Sequence, residues 1–236
     1  MNTVFKFYLQ VWVLLGVSAA VTLVWVAPRT FRWSHTARRW WWGLLLALLF
    51  AAALYPLLAT RARVRDRYVR EIGPTLDGMT FLSRATTFQE GQEYALKWDL
   101  EALRWMRAHI AGSPVVAEAT AGMPYRSLRA RVATYTGLPI ILGYPWHQQQ
   151  QRSAVPHIDA IIRKREQDVA TLYNTLDVAE ALEVLDRYDV DYIYVGHLER
   201  AYYAPAGLEK FRRMAQMGLL QQVYANPDVV LYRVVR

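Results

Sequence analysis

Two stretches of about twenty residues carry no charge, Phe7 to Val26 (FYLQVWVLLGVSAAVTLVWV) and Trp40 to Ala59 (WWWGLLLALLFAAALYPLLA). Each has the length of one bilayer crossing, which takes about 20 predominantly apolar helical residues. Trp25, Trp33 and the triplet Trp40, Trp41 and Trp42 gather around the connecting segment RTFRWSHTARR, where amphipathic rings settle at a membrane–water interface. The pattern predicts a transmembrane helical hairpin over residues 1–60. A cleaved signal peptide is a poorer reading, because the apolar run is too long and a second span follows directly.

Beyond the hairpin the pattern changes. Residues 61–91 mix charges with turn residues at Gly73, Pro74 and Gly78, and read as a helix end followed by a juxtamembrane linker. From residue 92 to 236 the periodicity is that of a globular domain. Glu93 to Ile110 is helical by spacing, with Leu96, Leu100, Leu103, Met106 and Ile110 on one stripe. Short β-rich runs then alternate with helical ones: PVVAEA, PIILGY, DYIYVG and the closing pair LLQQVYAN and VVLYRVV. HIDAIIRKREQDVATLYNTL, DVAEALEVLDRYD with Asp177 as its cap, and GLEKFRRMAQMG lie between them. Alternation of this kind predicts an α/β domain with a mostly parallel sheet and helices on both faces. Asn226, Pro227 and Asp228 form a turn that folds the last two strands into an antiparallel edge hairpin.

The formal charge of +8 suggests a nucleic-acid partner only if it covers a globular face. It does not. The chain before Arg61 carries Lys6, Arg29, Arg32, Arg38 and Arg39 and no acidic residue, residues 61–72 have a net charge of +3, and the remainder is neutral. The basic balance belongs to membrane flanks, where Lys and Arg meet anionic head groups; membrane lipids are the expected partners and nucleic acid is not. Arginines flank the hairpin on both sides, so charge alone leaves its orientation open. The absence of cysteine excludes disulfides and thiolate metal sites.

In an open parallel sheet, ligands sit beyond the carboxyl ends of the strands. The residues found there are Glu118 and Thr120 after the first strand, Tyr144, Trp146, His147 and Arg152 after the second, and His197, Glu199 and Arg200 after the third. As a rim, Glu118, Trp146, His147, Arg152, His197, Glu199 and Arg200 can bind a phosphate or a sugar, arginine forking onto an anion and Trp146 stacking on a ring. A divalent ion on His147, His197 and a carboxylate is the lesser reading, since no HxxH, HxH or DxD spacing supports it, and no metal or other cofactor is expected. Glu199 and Arg200 equally suit capping the next helix or pairing with each other. No GxGxxG, GxxxxGK[ST] or GxSxG occurs, so no catalytic residue is assigned.

The passages MNTVFKFYLQVW, LDGM, GSPVVAEA, TGLPIILGYPWHQQQQR, YDVDYIYVGHLER and NPDVVLYRVV together resemble the carboxyl-terminal part of the YYY-type polytopic membrane proteins (Chlor_Arch_YYY), a family of unknown function that is broadly similar to the C-superfamily membrane glycosyltransferases. The resemblance implies that the chain is a carboxyl-terminal portion, completed by upstream membrane spans or a partner membrane protein, with any catalytic acid outside it. It implies an extracytoplasmic globular domain that helps bind a polyprenyl-phosphate-linked sugar or its acceptor, in a multi-pass protein of the cell membrane. Asn2 and Lys6 then become candidates for a lipid phosphate. The alternative is a non-enzymatic, membrane-anchored binding or assembly module.

Overall fold

The computed structural model describes residues 2–67, 70–121 and 128–236, in two compact units, residues 1–68 and 69–236.

The first unit is a pair of long helices, α1 (Asn2–Arg29) and α2 (His35–Arg67). Both are long and apolar enough to cross a membrane, and the most apolar window of each has no buried residue within the protein. The turn between them is closed by side chains: Thr30 donates its hydroxyl to the Ala27 carbonyl at 2.7 Å and accepts from the Trp42 indole at 3.2 Å. Trp41 meets Trp33 and Trp42 edge-on, at 6.0 and 4.8 Å between centroids. The tryptophans expected at an interface thus also fasten the hairpin. Lys6 lies exposed on α1, and the side chain of Asn2 falls outside the described residues.

In the second unit, the stretch read as a linker carries a strand. After short 3₁₀ turns, β1 (Thr86–Gln89) pairs antiparallel with β2 (Gln92–Ala95), and α3 (Lys97–His109) starts later than the apolar stripe suggests. The connection is Glu90–Gly91, with φ of 45° and 81°. Two successive left-handed residues are what a tight hairpin turn needs, and a glutamate in the first position hides that signal.

The chain continues through β3 (Val115–Ala117), α4 (Arg131–Thr136), α5 (Pro145–Gln151), α6 (Ile158–Asn174), α7 (Val178–Arg187), β4 (Val190–Val195), α8 (His197–Tyr202), α9 (Pro205–Gln216), β5 (Leu220–Ala225) and β6 (Val230–Val234). The main sheet has the order β3-β4-β6-β5, with β3 and β4 parallel and the other pairings antiparallel. The domain is α/β with the expected edge hairpin, but the sheet is mixed rather than mostly parallel. PIILGY contributes a single parallel bridge, Val116 to Ile140, and no strand, because Pro145 starts α5 after only a few residues.

Alternation along the strands divides the core. Ala117, Ile193, Val195 and Tyr232 pack with residues of α6, α7 and α9, whereas Val116, Tyr194 and Leu231 pack with α3 and α4. Helices therefore cover both faces. Asp177 caps α7, accepting from the Ala179 amide at 2.8 Å, and the buried Lys210 reaches from α9 to the carbonyls of Leu172 and Thr175 at the end of α6, at 2.6 and 2.9 Å. The same crossing requires Gly207, where an added Cβ would lie 2.2 Å from the Tyr173 carbonyl oxygen and 2.8 Å from Asn174 Cα. Backbone cannot yield as a flexible side chain can. Gly207→Ala is expected to cost about 2–3 kcal/mol, read as a lowered unfolding midpoint by circular dichroism of the full-length protein in detergent; an unchanged midpoint would refute the tight crossing.

Candidate functional site

The carboxyl ends of β3 and β4 lead into a buried polar cluster. Glu118 follows β3 directly; Gly196 follows β4 and opens α8, which carries His197 and Glu199. Asp99 comes from the first turn of α3 and Arg131 is the first residue of α4. All five side chains named are at most 2 % exposed.

Arg131 organises the cluster. Its Nε donates to Asp99 Oδ1 at 2.9 Å, its Nη1 to Glu118 Oε2 at 3.4 Å and its Nη2 to Glu199 Oε2 at 2.6 Å. Its guanidinium lies 4.4 Å from the centroid of the Tyr194 ring. The planar fork serves three carboxylates from three separate segments, which a point charge could not do. Gly196 makes room for it: a Cβ there would lie 2.8 Å from Tyr194 Cε1 and 3.2 Å from Arg131 Nη2.

The remaining oxygens are also used. Glu199 Oε2 accepts from the Gly196 amide at 2.7 Å and Oε1 from the Ala119 amide at 2.6 Å, so it caps α8 and clasps the end of β3. Glu118 accepts from the Val132 amide at 3.2 Å, near the start of α4. Asp99 Oδ1 takes the Tyr194 hydroxyl at 2.8 Å, and Oδ2 takes His197 Nδ1 at 2.8 Å. Tyr173 Oη, from α6, lies 3.0 Å from the Ala117 carbonyl and 2.8 Å from that of Tyr194, bridging the ends of the two strands.

The ionisation of the carboxylates follows from these partners. Burial pushes the Glu118 carboxyl up to about 8, aided by the nearby Glu199 charge, and Arg131 offsets only part of this. For Asp99, burial also acts upward, but the His197 hydrogen bond, the Arg131 charge and the Tyr194 hydroxyl prevail and hold it below the usual range. The Arg131 guanidinium, despite its burial, is held more firmly protonated than usual by Glu199 and Asp99.

Of the residues expected at the rim, Glu118, His197 and Glu199 do converge, but in the protein interior, where they hold one another and Arg131. Glu199 thus takes the capping role left open in the sequence. Arg200 pairs across to Asp228, in the turn between β5 and β6, instead of with Glu199. Within the passage GYPWHQQQQR, Pro145–Gln151 form a short helix with Arg152 as its C-cap. Pro145 starts it, His147 meets the Tyr144 ring edge-on at 5.8 Å, and Arg152 donates to Gln148 Oε1 at 2.9 Å. Trp146 on the same helix is 61 % exposed. The link from this helix to the cluster is Tyr144, whose hydroxyl is pushed up first by burial and then by the Glu118 charge.

Asp99, Arg131, Tyr194 and Asp228 were missed. Asp99 left a trace: it falls on the buried stripe of α3, beside Leu100 and one turn from Leu96 and Leu103, where an unpaired carboxylate is not tolerated. Arg131 left none.

No family profile and no curated protein matches the sequence. Among solved structures, the chain is similar to the C-terminal globular domain of an oligosaccharyltransferase, AglB-S2, from Archaeoglobus fulgidus, with a TM-score of 0.36 and 12 % identity over 57 % of this chain and 95 % of that one.

Proposed function

We propose that the chain is an integral membrane protein, the carboxyl-terminal portion of a glycosyltransferase-like polytopic assembly, whose α/β unit helps bind a polyprenyl-phosphate-linked sugar or its acceptor. The observation that carries this reading is the spatial convergence of the motif run. GSPVVAEA supplies Glu118, YDVDYIYVGHLER supplies Tyr194, His197 and Glu199, and NPDVVLYRVV supplies Asp228; the first two meet on Arg131, and Asp228 lies beside His197 and Asp99. TGLPIILGYPWHQQQQR runs from the bridge on β3 into α5.

In this reading the buried cluster holds the frame and the more accessible groups make contact. Trp146 on α5 and Arg152 just beyond its end stand exposed, beside a half-buried His147; an aromatic face suits a sugar ring and a guanidinium suits a phosphate. The two apolar helices anchor the unit, with Lys6 near a membrane end of α1. The α/β unit lies outside the cytoplasm and the Arg29–Arg39 connection inside.

The test is glycan transfer by the complete assembly carrying Ala at His147, Arg152 and Arg200. Loss of about tenfold or more in transfer for the triple variant, with an unchanged melting profile, is expected, because each charged contact to a phosphate contributes on the order of 1 kcal/mol or more. Full activity would refute the site. Co-purification of a protein partner with neither lipid nor sugar would instead support a non-enzymatic assembly module.

A further inference from the structure

His197 and Asp228 present two acceptors to one place. His197 Nδ1 lies 2.8 Å from Asp99 Oδ2, and a carboxylate oxygen accepts from a ring N–H. With the hydrogen on Nδ1, the other ring nitrogen, Nε2, offers a lone pair. This atom is buried, in a residue that is 0 % exposed, and it has no hydrogen-bond partner among the described residues. Asp228 Oδ2 is likewise buried and without a hydrogen-bond partner among the described residues. Its companion Oδ1 is taken by Arg200. One ligand atom from each of Asp99, His197 and Asp228 lies within 4.8 Å of the others.

We propose that His197 and Asp228 bind a divalent zinc-class cation, with Asp99 orienting the imidazole from behind. Two buried lone pairs without partners, on residues that each bring a ligand atom within 4.8 Å of the others, are satisfied together by one positive centre, and zinc takes such nitrogen and oxygen ligands at about 2.1 Å. A carboxylate holding the other ring nitrogen is the usual support of a metal-binding histidine: it fixes the tautomer and raises the basicity of the free nitrogen. Imidazole with carboxylate oxygen selects zinc or its first-row neighbours over calcium or magnesium.

The surroundings are built to hold these groups. Tyr94 of β2 covers the His197 ring, with 5.4 Å between centroids. The Asp228 backbone is fixed by Asn226 Oδ1, which accepts from the amides of Asp228 at 3.0 Å and Val229 at 2.7 Å, while Asn226 Nδ2 reaches the Trp98 carbonyl beside Asp99 at 2.9 Å. The Asp228 side chain is 18 % exposed overall, with its Oδ2 buried. The cation would tie together α3, the start of α8 and the β5–β6 turn.

This inference does not depend on the chain handling a lipid-linked sugar. The full-length protein, without a histidine tag, is purified in detergent, stripped with EDTA and titrated with zinc chloride by calorimetry, with bound zinc counted after gel filtration. One equivalent is expected. Asp228→Asn, at a turn and partly exposed, should weaken binding at least tenfold while the protein stays folded, and His197→Gln should abolish it; His109→Gln, on the outer face of α3, should change nothing. Zinc should raise the unfolding midpoint of the wild type and not that of Asp228→Asn. No stoichiometric zinc in the wild type, or binding indifferent to Asp228→Asn, would overturn the proposal in favour of a proton shared between His197 and Asp228.

Discussion

Replacing Arg131 by methionine is expected to unfold the α/β unit, or to cost it about 3–5 kcal/mol, the penalty for stranding buried charges by removing their partner. Methionine fills most of the volume but offers nothing to Asp99, Glu118 and Glu199, all reached by the guanidinium within 3.4 Å. Glu118 can remain neutral by keeping its proton. Asp99 has no such easy escape, because Tyr194 and His197 are already arranged around its ionised oxygens, and both oxygens of Glu199 are already engaged by the Gly196 and Ala119 amides. A loss of this size approaches the entire stability of an ordinary domain, about 5–15 kcal/mol. Arg131→Lys should fall between, since an ammonium can hold only part of the three-way contact. Thermal unfolding of the full-length protein in detergent, followed by far-ultraviolet circular dichroism, decides it. A methionine variant that melts with the wild type would mean the cluster does not hold the sheet ends together.

Stability should also fall as pH rises from about 4.5 to 8, on account of Glu118. Burial raises its carboxyl from 4.5 to about 8. Across that window the folded protein keeps a proton that the unfolded chain releases, so the stabilisation is complete below the lower value and lost through the upper one. At about 1.4 kcal/mol for each pH unit, the effect is bounded at roughly 5 kcal/mol. Asp99 acts in the opposite sense: its lowered carboxyl stabilises the fold above the usual aspartate range, and that contribution is lost as the pH falls. Glu118→Gln keeps an acceptor for the Val132 amide and has no proton to lose. The variant should therefore flatten the pH profile and exceed the wild type in stability near pH 8. Denaturant titrations at pH 5, 6.5 and 8 would show this; parallel profiles for the two proteins would exclude Glu118 as the titrating group.

Much of the architecture was legible because it rests on local pattern. Twenty uncharged residues in a row, twice, can hardly be anything but long apolar helices, and α1 and α2 extend past the spans read from them by no more than the charged flanks. Alternation in DYIYVG and in the closing pair gave β4, β5 and β6, and Asp177 capped α7 as its position foretold. The pattern misled where a neighbouring element decided the outcome. PIILGY is strand-like in composition, yet the proline that starts α5 leaves it a single bridge. Thr86–Gln89 carried no apolar alternation strong enough to stand out, and becomes a strand only by pairing with Gln92–Ala95.

The site divides in the same way. By itself the sequence determined which residues follow the strands, because strand ends are local features, and so it named Glu118, His197 and Glu199. Only the tertiary structure decided that these side chains point inward, that Asp99, Arg131 and Asp228 join them from distant segments, and that Trp146 and His147 sit on a short helix of their own with Arg152 at its end. The reason is physical: a run of residues fixes its own period and caps, but a buried charge is tolerable only beside a partner, and that partner is chosen by how helices and sheet pack, not by anything written next to it in the chain.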